Sequence, residues 1–124
     1  MMGKIKLLIV DDSLFFRKSL ERGLSKDPRI EIVGMAGDAF EAMDKIRLLK
    51  PDVVTMDVEM PKMNGMETFE RMKEFVPEIP VIFLTASGAE EDVVSAIRLG
   101  AVNYLKKPFE PQELLKRVAR EFEE

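Results

Sequence analysis

Residues 5–13 have the sequence IKLLIVDDS, in which an apolar run is stopped by two acids and a hydroxyl. Apart from Lys6, Ile5 to Val10 is aliphatic, a pattern typical of a strand that is buried on both faces of a parallel sheet. Its unbroken part, Leu7–Val10, is too short for a signal-peptide core or a membrane span. We therefore expect a cytoplasmic protein that does not insert into membranes.

Four further apolar stretches follow, and a segment with helical spacing comes after each of the five. Strands are expected at Ile5–Val10, Ile30–Val33, Val53–Met56, Val81–Leu84 and Val102–Leu105. Helices are expected at Leu14–Ser25, Ala39–Leu49 and Gly65–Phe75, from a Ser87–Glu90 cap to Gly100, and from Pro111 onward. This alternation predicts an α/β fold, a doubly wound (βα)5 domain over residues 1–124 with a five-stranded parallel sheet and helices on both faces.

The composition excludes several classes of function. The 124 residues carry 19 Lys plus Arg against 23 Asp plus Glu, a net charge of −4 that argues against direct binding of nucleic acid. Cys and His are both absent, which excludes cysteine nucleophiles, thiolate zinc sites and Ser-His-Asp triads. The many carboxylates can still bind a hard cation such as Mg²⁺.

Polar residues end four of the predicted strands, and the carboxyl ends of parallel strands are where ligands bind in such sheets. These residues are Asp11, Asp12, Asp57, Glu59, Thr85, Lys106 and Lys107. Each acid alone could equally be a solvated strand end or a turn cap. Together they predict a magnesium site, because adjacent carboxylates repel one another unless a cation neutralises them. A carboxylate beside such a cation can attack a phosphoryl group, whose charges a lysine and a hydroxyl can then stabilise.

The chain resembles the receiver domains of two-component response regulators along essentially its whole length. The resemblance rests on motifs at the strand ends: Val10–Ser13, Met56–Pro61 with Asn64-Gly65, Leu84–Ala86, and Gly100-Ala101 followed by Lys107-Pro108. It implies the flavodoxin-like strand order 2-1-3-4-5, of which a chemotaxis receiver is a standard example. The Asp11-Asp12-Ser13 motif is similar to that of chemotaxis receivers, and Asp57–Pro61 is similar to that of chemotaxis methylesterase receivers. Thr85-Ala86 and Lys107-Pro108-Phe109 look more like the motifs of stand-alone chemotaxis or general receivers.

The resemblance also implies a metal site and a phosphorylation site. Asp57 aligns with the aspartate that accepts the phosphoryl group, and Asp12 with the direct Mg²⁺ ligand. Asp11 aligns with the acid that holds metal-bound water, and Glu59 is expected to contribute its main-chain carbonyl. The flanking Met60 and Met63 are expected to be partly exposed.

Three further residues are implied to respond to the phosphoryl group. Thr85 and Lys107 would contact it, and Tyr104 falls at the position of the aromatic switch. Strand alternation and the distance from Pro108 favour Lys107 over Lys106 as the catalytic lysine. The Lys107-Pro108 peptide bond is expected to be cis.

The function implied is a signalling switch that catalyses its own aspartyl phosphorylation and dephosphorylation. A sensor histidine kinase would phosphorylate Asp57 with the help of Mg²⁺, and a face of the fourth helix, fifth strand and fifth helix would then control a downstream target protein or a second receiver. A magnesium phosphohydrolase of the haloacid dehalogenase type is an alternative, but it would need a second Asp where Glu59 stands. A nucleotide-binding module would need a Gly-rich loop after the first strand, which is absent. The sequence leaves open whether the chain is a complete regulator or a piece of a longer one.

Overall fold

The computed structural model of the chain describes residues 3–76, 78–86, 94–95, 97–98 and 100–122. Within them, five strands form one parallel sheet in the order β2-β1-β3-β4-β5. The strands are β1 (Ile5–Val10), β2 (Ile30–Ala36), β3 (Val53–Asp57), β4 (Val81–Thr85) and β5 (Asn103–Lys106). The predicted fold class and strand order are confirmed.

Short polar side chains start the helices that follow the first three strands. The helices are α1 (Leu14–Leu24), α2 (Ala39–Leu49), α3 (Gly65–Phe75) and a last helix (Pro111–Glu121). Ser13, Asp38 and Asn64 each accept a hydrogen bond from a backbone N–H in the first turn of α1, α2 and α3. Residues 94–95 and 97–98 are helical within the fourth predicted helix, whose expected cap at Ser87 and Glu90 lies outside the described residues.

Alternate side chains of the interior strand β1 contribute to two cores, one on each face of the sheet. Leu7 and Ile9 pack with residues of α1 and the last helix, whereas Leu8 and Val10 pack with residues of α2 and α3. All four side chains are fully buried, as expected for a strand covered on both faces. The sheet is thereby held between two layers of helices. None of the helices in the described part of the chain is long and apolar enough to cross a bilayer.

The structure departs from the sequence expectations at several element ends. β2 extends to Ala36 because its backbone pairs with β1 as far as Val10, although the apolar pattern fades after Val33. β5 starts and ends one residue later than expected, and α1 ends at Leu24. The expectation that Met63 is partly exposed is wrong, because its side chain is buried against α2.

We predict that Thr55→Val stabilises the fold. Thr55 is fully buried in β3, and its hydroxyl has no hydrogen-bond partner among the described residues. Valine has nearly the same shape without the hydroxyl, so the free energy of unfolding should rise by about 1 kcal/mol in urea denaturation. Thr68→Val is the matched control, since the buried Thr68 hydroxyl donates to the Asn64 carbonyl at 2.8 Å and its loss should destabilise. Equal destabilisation in both variants would contradict the prediction.

Candidate functional site

Three carboxylates converge at the carboxyl edge of the sheet because β1 and β3 are adjacent and parallel. Val10 pairs with Met56 in the register, so the acids that follow or end these strands lie side by side. Asp11, Asp12 and Asp57 each place a carboxylate oxygen within 4.8 Å of the others. Asp11 is 1% exposed and Asp57 6% exposed, whereas Asp12 faces solvent. The cluster concentrates negative charge where water is largely excluded.

Lys107 supplies positive charge to this cluster from the end of β5. Its Nζ lies 2.6 Å from Asp11 Oδ2 and 3.7 Å from Asp57 Oδ2. Its backbone N–H donates to the Thr85 carbonyl at 2.7 Å, and the Lys107-Pro108 bond is cis, as predicted. Lys106, the alternative considered from the sequence, is exposed. The structure therefore brings Lys107 to the acids.

The surroundings of Asp57 shift the pKa of its carboxyl group upward. Burial raises the pKa of Asp57 to about 6, the positive charge of Lys107 opposes that rise, and the negative charge of Asp11 adds to it. A hydrogen bond of 3.2 Å from the Glu59 backbone N–H to Asp57 Oδ1 favours the ionised form. Any further cation in the cluster would lower this pKa and secure the carboxylate.

Backbone contacts fix the acids in place. The Ser13 N–H donates to Asp11 Oδ1 at 2.9 Å, and Arg17 donates to the Asp11 carbonyl at 2.5 Å. At the start of α3, a Cβ on Gly65 would lie only 2.3 Å from the Asp57 carbonyl oxygen. This close approach admits no side chain at Gly65, which explains why glycine follows the helix cap there.

The remaining predicted residues differ in burial. Glu59 is exposed and lines a cleft of about 670 Å³ together with Asp12, Asp57 and Asn64. Thr85 is buried at the end of β4. Tyr104 is 40% exposed on β5 and pairs in register with Phe83, two residues before Thr85. Tyr104 therefore lies outside the acid cluster, on the strand that leads to Lys107.

One contact of the cluster was not anticipated from the sequence. The Lys107 Nζ lies 3.8 Å from the centroid of the Phe16 ring. Helical spacing in α1 assigned Phe16 only to the core face, and its ring does pack against the core next to the last helix. Phe16 and Lys107 are far apart in the chain, and no local sequence pattern predicts their contact.

Comparison with known proteins gives a consistent picture. The model of the response regulator receiver domain family matches residues 7–119. The chain is 49% identical over 105 residues to protein-glutamate methylesterase/protein-glutamine glutaminase 2 of Syntrophomonas wolfei, which covers 85% of this chain and 30% of that protein. It thus spans about a third of the length of the curated relatives it matches.

Solved structures agree with this match. The response regulator domain of Thermotoga maritima CheB superposes with a TM-score of 0.88 at 34% identity, covering 94% of this chain and 95% of that chain. CheY in the CheX–CheY–BeF3–Mg²⁺ complex of Borrelia burgdorferi does so with a TM-score of 0.91 at 32% identity, covering 98% and 92%. Both agree with the resemblance to chemotaxis-type receivers found in the sequence motifs.

We predict that Asp57→Asn stabilises the protein in a pH-dependent way. Because the pKa is raised from 3.8 to about 6, the folded state holds more protons than the unfolded chain between these values. Stability due to Asp57 is therefore lost as pH rises through that window. In EDTA, the variant should exceed the parent by about 1–3 kcal/mol in free energy of unfolding near neutral pH, and this gap should shrink below about pH 4. A gap independent of pH would contradict the prediction.

Proposed function

We propose, from the premise that this chain belongs to the response regulator receiver domain family, that it is a switch whose phosphoryl acceptor is Asp57. The observation that carries the proposal is the cluster of three carboxylates around one partly buried ammonium at the carboxyl edge of the sheet. Asp57 is the acid of this cluster that ends a strand, is nearly buried and has its carboxylate within reach of Lys107. Asp57 lines the cleft, so a phosphoryl donor can reach it, and its raised pKa makes its carboxylate more basic.

The donor set fits a magnesium ion. Three carboxylates face a single ammonium, so two negative charges remain uncompensated at distances where they repel. All of the candidate ligands are oxygens, which Mg²⁺ prefers, and the exposed side of Asp12 leaves room for water ligands. Asp11, Asp12, Asp57 and the Glu59 carbonyl would hold the ion. When bound, it would neutralise the acids and the oxygens of the incoming phosphoryl group.

The residues of the chain would perform the transfer. A carboxylate oxygen of Asp57 forms a bond to phosphorus while the bond between phosphorus and the histidine nitrogen of a sensor kinase breaks. Lys107 already lies between Asp11 and Asp57, so its ammonium needs only a small movement to reach the transferred oxygens. The Thr85 hydroxyl would be the second donor. The buried floor of the site excludes water that would otherwise screen these charges.

Phosphorylation of Asp57 would change a partner-binding surface through Thr85 and Tyr104. Leu105 packs toward α1 and the last helix, so its neighbour Tyr104 lies on the opposite face of the sheet, the face that also carries Phe83 and Thr85. Val94 and Ile97 are exposed nearby in the chain and offer apolar contact area. A downstream protein or a second receiver would bind the surface formed by the fourth helix, β5 and the last helix. We further propose that residues 1–124 act as one regulatory unit, with methylesterase output as a candidate from the names of the relatives.

We predict that acetyl phosphate labels Asp57 and that labelling requires Mg²⁺. Asp12→Ala should lose most of the labelling, because it removes the exposed metal ligand without touching the acceptor. Asp44→Ala removes another exposed acid, one on α2 that is not part of the cluster, and should label like the parent. Mass spectrometry of proteolytic peptides locates the phosphate. A label on Asp12 or Glu59, or one independent of Mg²⁺, would refute the assignment.

We also predict that Thr85 couples the acceptor to Tyr104. Beryllofluoride with Mg²⁺ should shift the Tyr104 ring signals and the amides of residues 94–98 in NMR spectra of the parent. Thr85→Ala should still bind beryllofluoride at Asp57, yet these signals should stay near their free positions, because the hydroxyl that responds to the adduct is gone. Thr55→Val, a change in the neighbouring strand, should respond like the parent. Equal shifts in parent and Thr85→Ala would rule out this coupling.

A further inference from the structure

The ammonium of Lys107 is held by three groups that differ in chemistry. Two are carboxylates, with Asp11 Oδ2 at 2.6 Å and Asp57 Oδ2 at 3.7 Å, and the third is the face of the Phe16 ring at 3.8 Å from its centroid. The Lys107 side chain is only 17% exposed. Cations attract the face of an aromatic ring, and this attraction is stronger where water is excluded.

Phe16 is held in place through both its backbone and its ring. The backbone N–H of Phe16 donates to the Ser13 hydroxyl that caps α1, at 3.1 Å. Its ring meets the Phe109 ring edge to face, with centroids 6.1 Å apart and planes at 79°. Phe109 follows Lys107-Pro108 in the chain, so the ring pair connects the start of α1 to the loop that carries the lysine. Both rings are partly buried against the core formed with the last helix.

Asp11 is the nearer and more buried of the two acids, so the charges favour the resting position of the lysine at Asp11. An ammonium that leaves Asp11 for a group on Asp57 gives up its shortest contact with a carboxylate, at a cost in free energy. The Phe16 ring face beneath the ammonium offers a favourable contact that does not depend on Asp11.

We propose that Phe16, backed by Phe109, is a positioning residue for Lys107: its ring face keeps the ammonium over the acid cluster and lets it move from Asp11 to the phosphoryl group on Asp57. Only the second part of this inference, the movement toward a phosphoryl group, rests on the proposed function. The position of the ammonium on the ring is a property of the unphosphorylated protein and can be measured there.

The chain supplies a matched control for the test. Phe15 and Phe16 are neighbours in the first turn of α1, but Phe15 is 85% exposed, and the lysine lies over the ring of Phe16. Phe16→Leu and Phe15→Leu therefore make the same chemical change, and only the first removes the ring beneath the ammonium. Phe16→Tyr keeps the ring face and serves as the rescue.

Three readouts separate positioning from a general loss of structure. In the parent, the ε-protons of Lys107 should be shifted upfield by the ring current of Phe16, and Phe16→Leu should abolish this shift. Labelling by acetyl phosphate should slow by about fivefold in Phe16→Leu, the size expected for one partly buried cation–ring contact. Mg²⁺ affinity should stay within about twofold, because no ligand changes. Phe15→Leu and Phe16→Tyr should match the parent in all three readouts.

The result that would overturn the proposal is a Phe16→Leu variant with parental labelling and an unchanged Lys107 shift. Equal slowing in Phe15→Leu, or a parallel fall in Mg²⁺ affinity, would also overturn it, because the effect would then lie in packing. In a Lys107→Ala background, Phe16→Leu should cause no further slowing, and additive slowing would count against it. If the parent itself is not labelled, the proposed function fails, and the ring-current shift and its loss in Phe16→Leu alone decide the positioning role.

Discussion

The repulsion among the carboxylates of Asp11, Asp12 and Asp57 is the constraint around which the functional edge of this protein is built. Parallel pairing of β1 and β3 forces the acids together, and a shift in register would move every buried side chain of a strand to the opposite face. Two of the three acids are shielded from water, and a compensating charge comes from the ammonium of Lys107, which follows β5 directly. The raised pKa of Asp57 is the direct consequence of that burial and crowding. Carboxylates crowded in this way are well suited to bind a cation and to respond to a new charge.

Asp57 and Thr85 lie on opposite faces of the sheet. Asp57 lies on the same face of the sheet as Val53, and Lys107 comes two residues after Leu105. Val53 and Leu105 belong to the core shared by α1 and the last helix, against which Phe16 also packs. Thr85 alternates with Leu84 and so shares the opposite face with Phe83. The hydrogen bond from the Lys107 N–H to the Thr85 carbonyl joins the two strand ends from which these groups project. A change at the acid cluster can therefore reach the opposite face through one short connection between β4 and β5.

The part of this architecture that depends on local pattern could be predicted from the sequence. The apolar run of β1 predicted a strand buried on both faces, and the rule that ligands bind at carboxyl strand ends brought Asp11 and Asp57 together. The strand order came only from the resemblance to a family. What could not be predicted depends on contacts between distant segments: the length of β2 follows from its pairing with β1, and Met63 is buried because α2 covers it. The ring beneath Lys107 belongs to the same class of contact.

A crystal structure of this chain with Mg²⁺ and beryllofluoride would test the role of the acid cluster. We expect a beryllium–oxygen bond at the Asp57 carboxylate and a cation in contact with the acid cluster. We also expect the Lys107 Nζ to leave Asp11 for a fluorine while it remains over the Phe16 ring. An adduct on any other carboxylate, or a cation bound away from Asp12 and Asp57, would contradict this role.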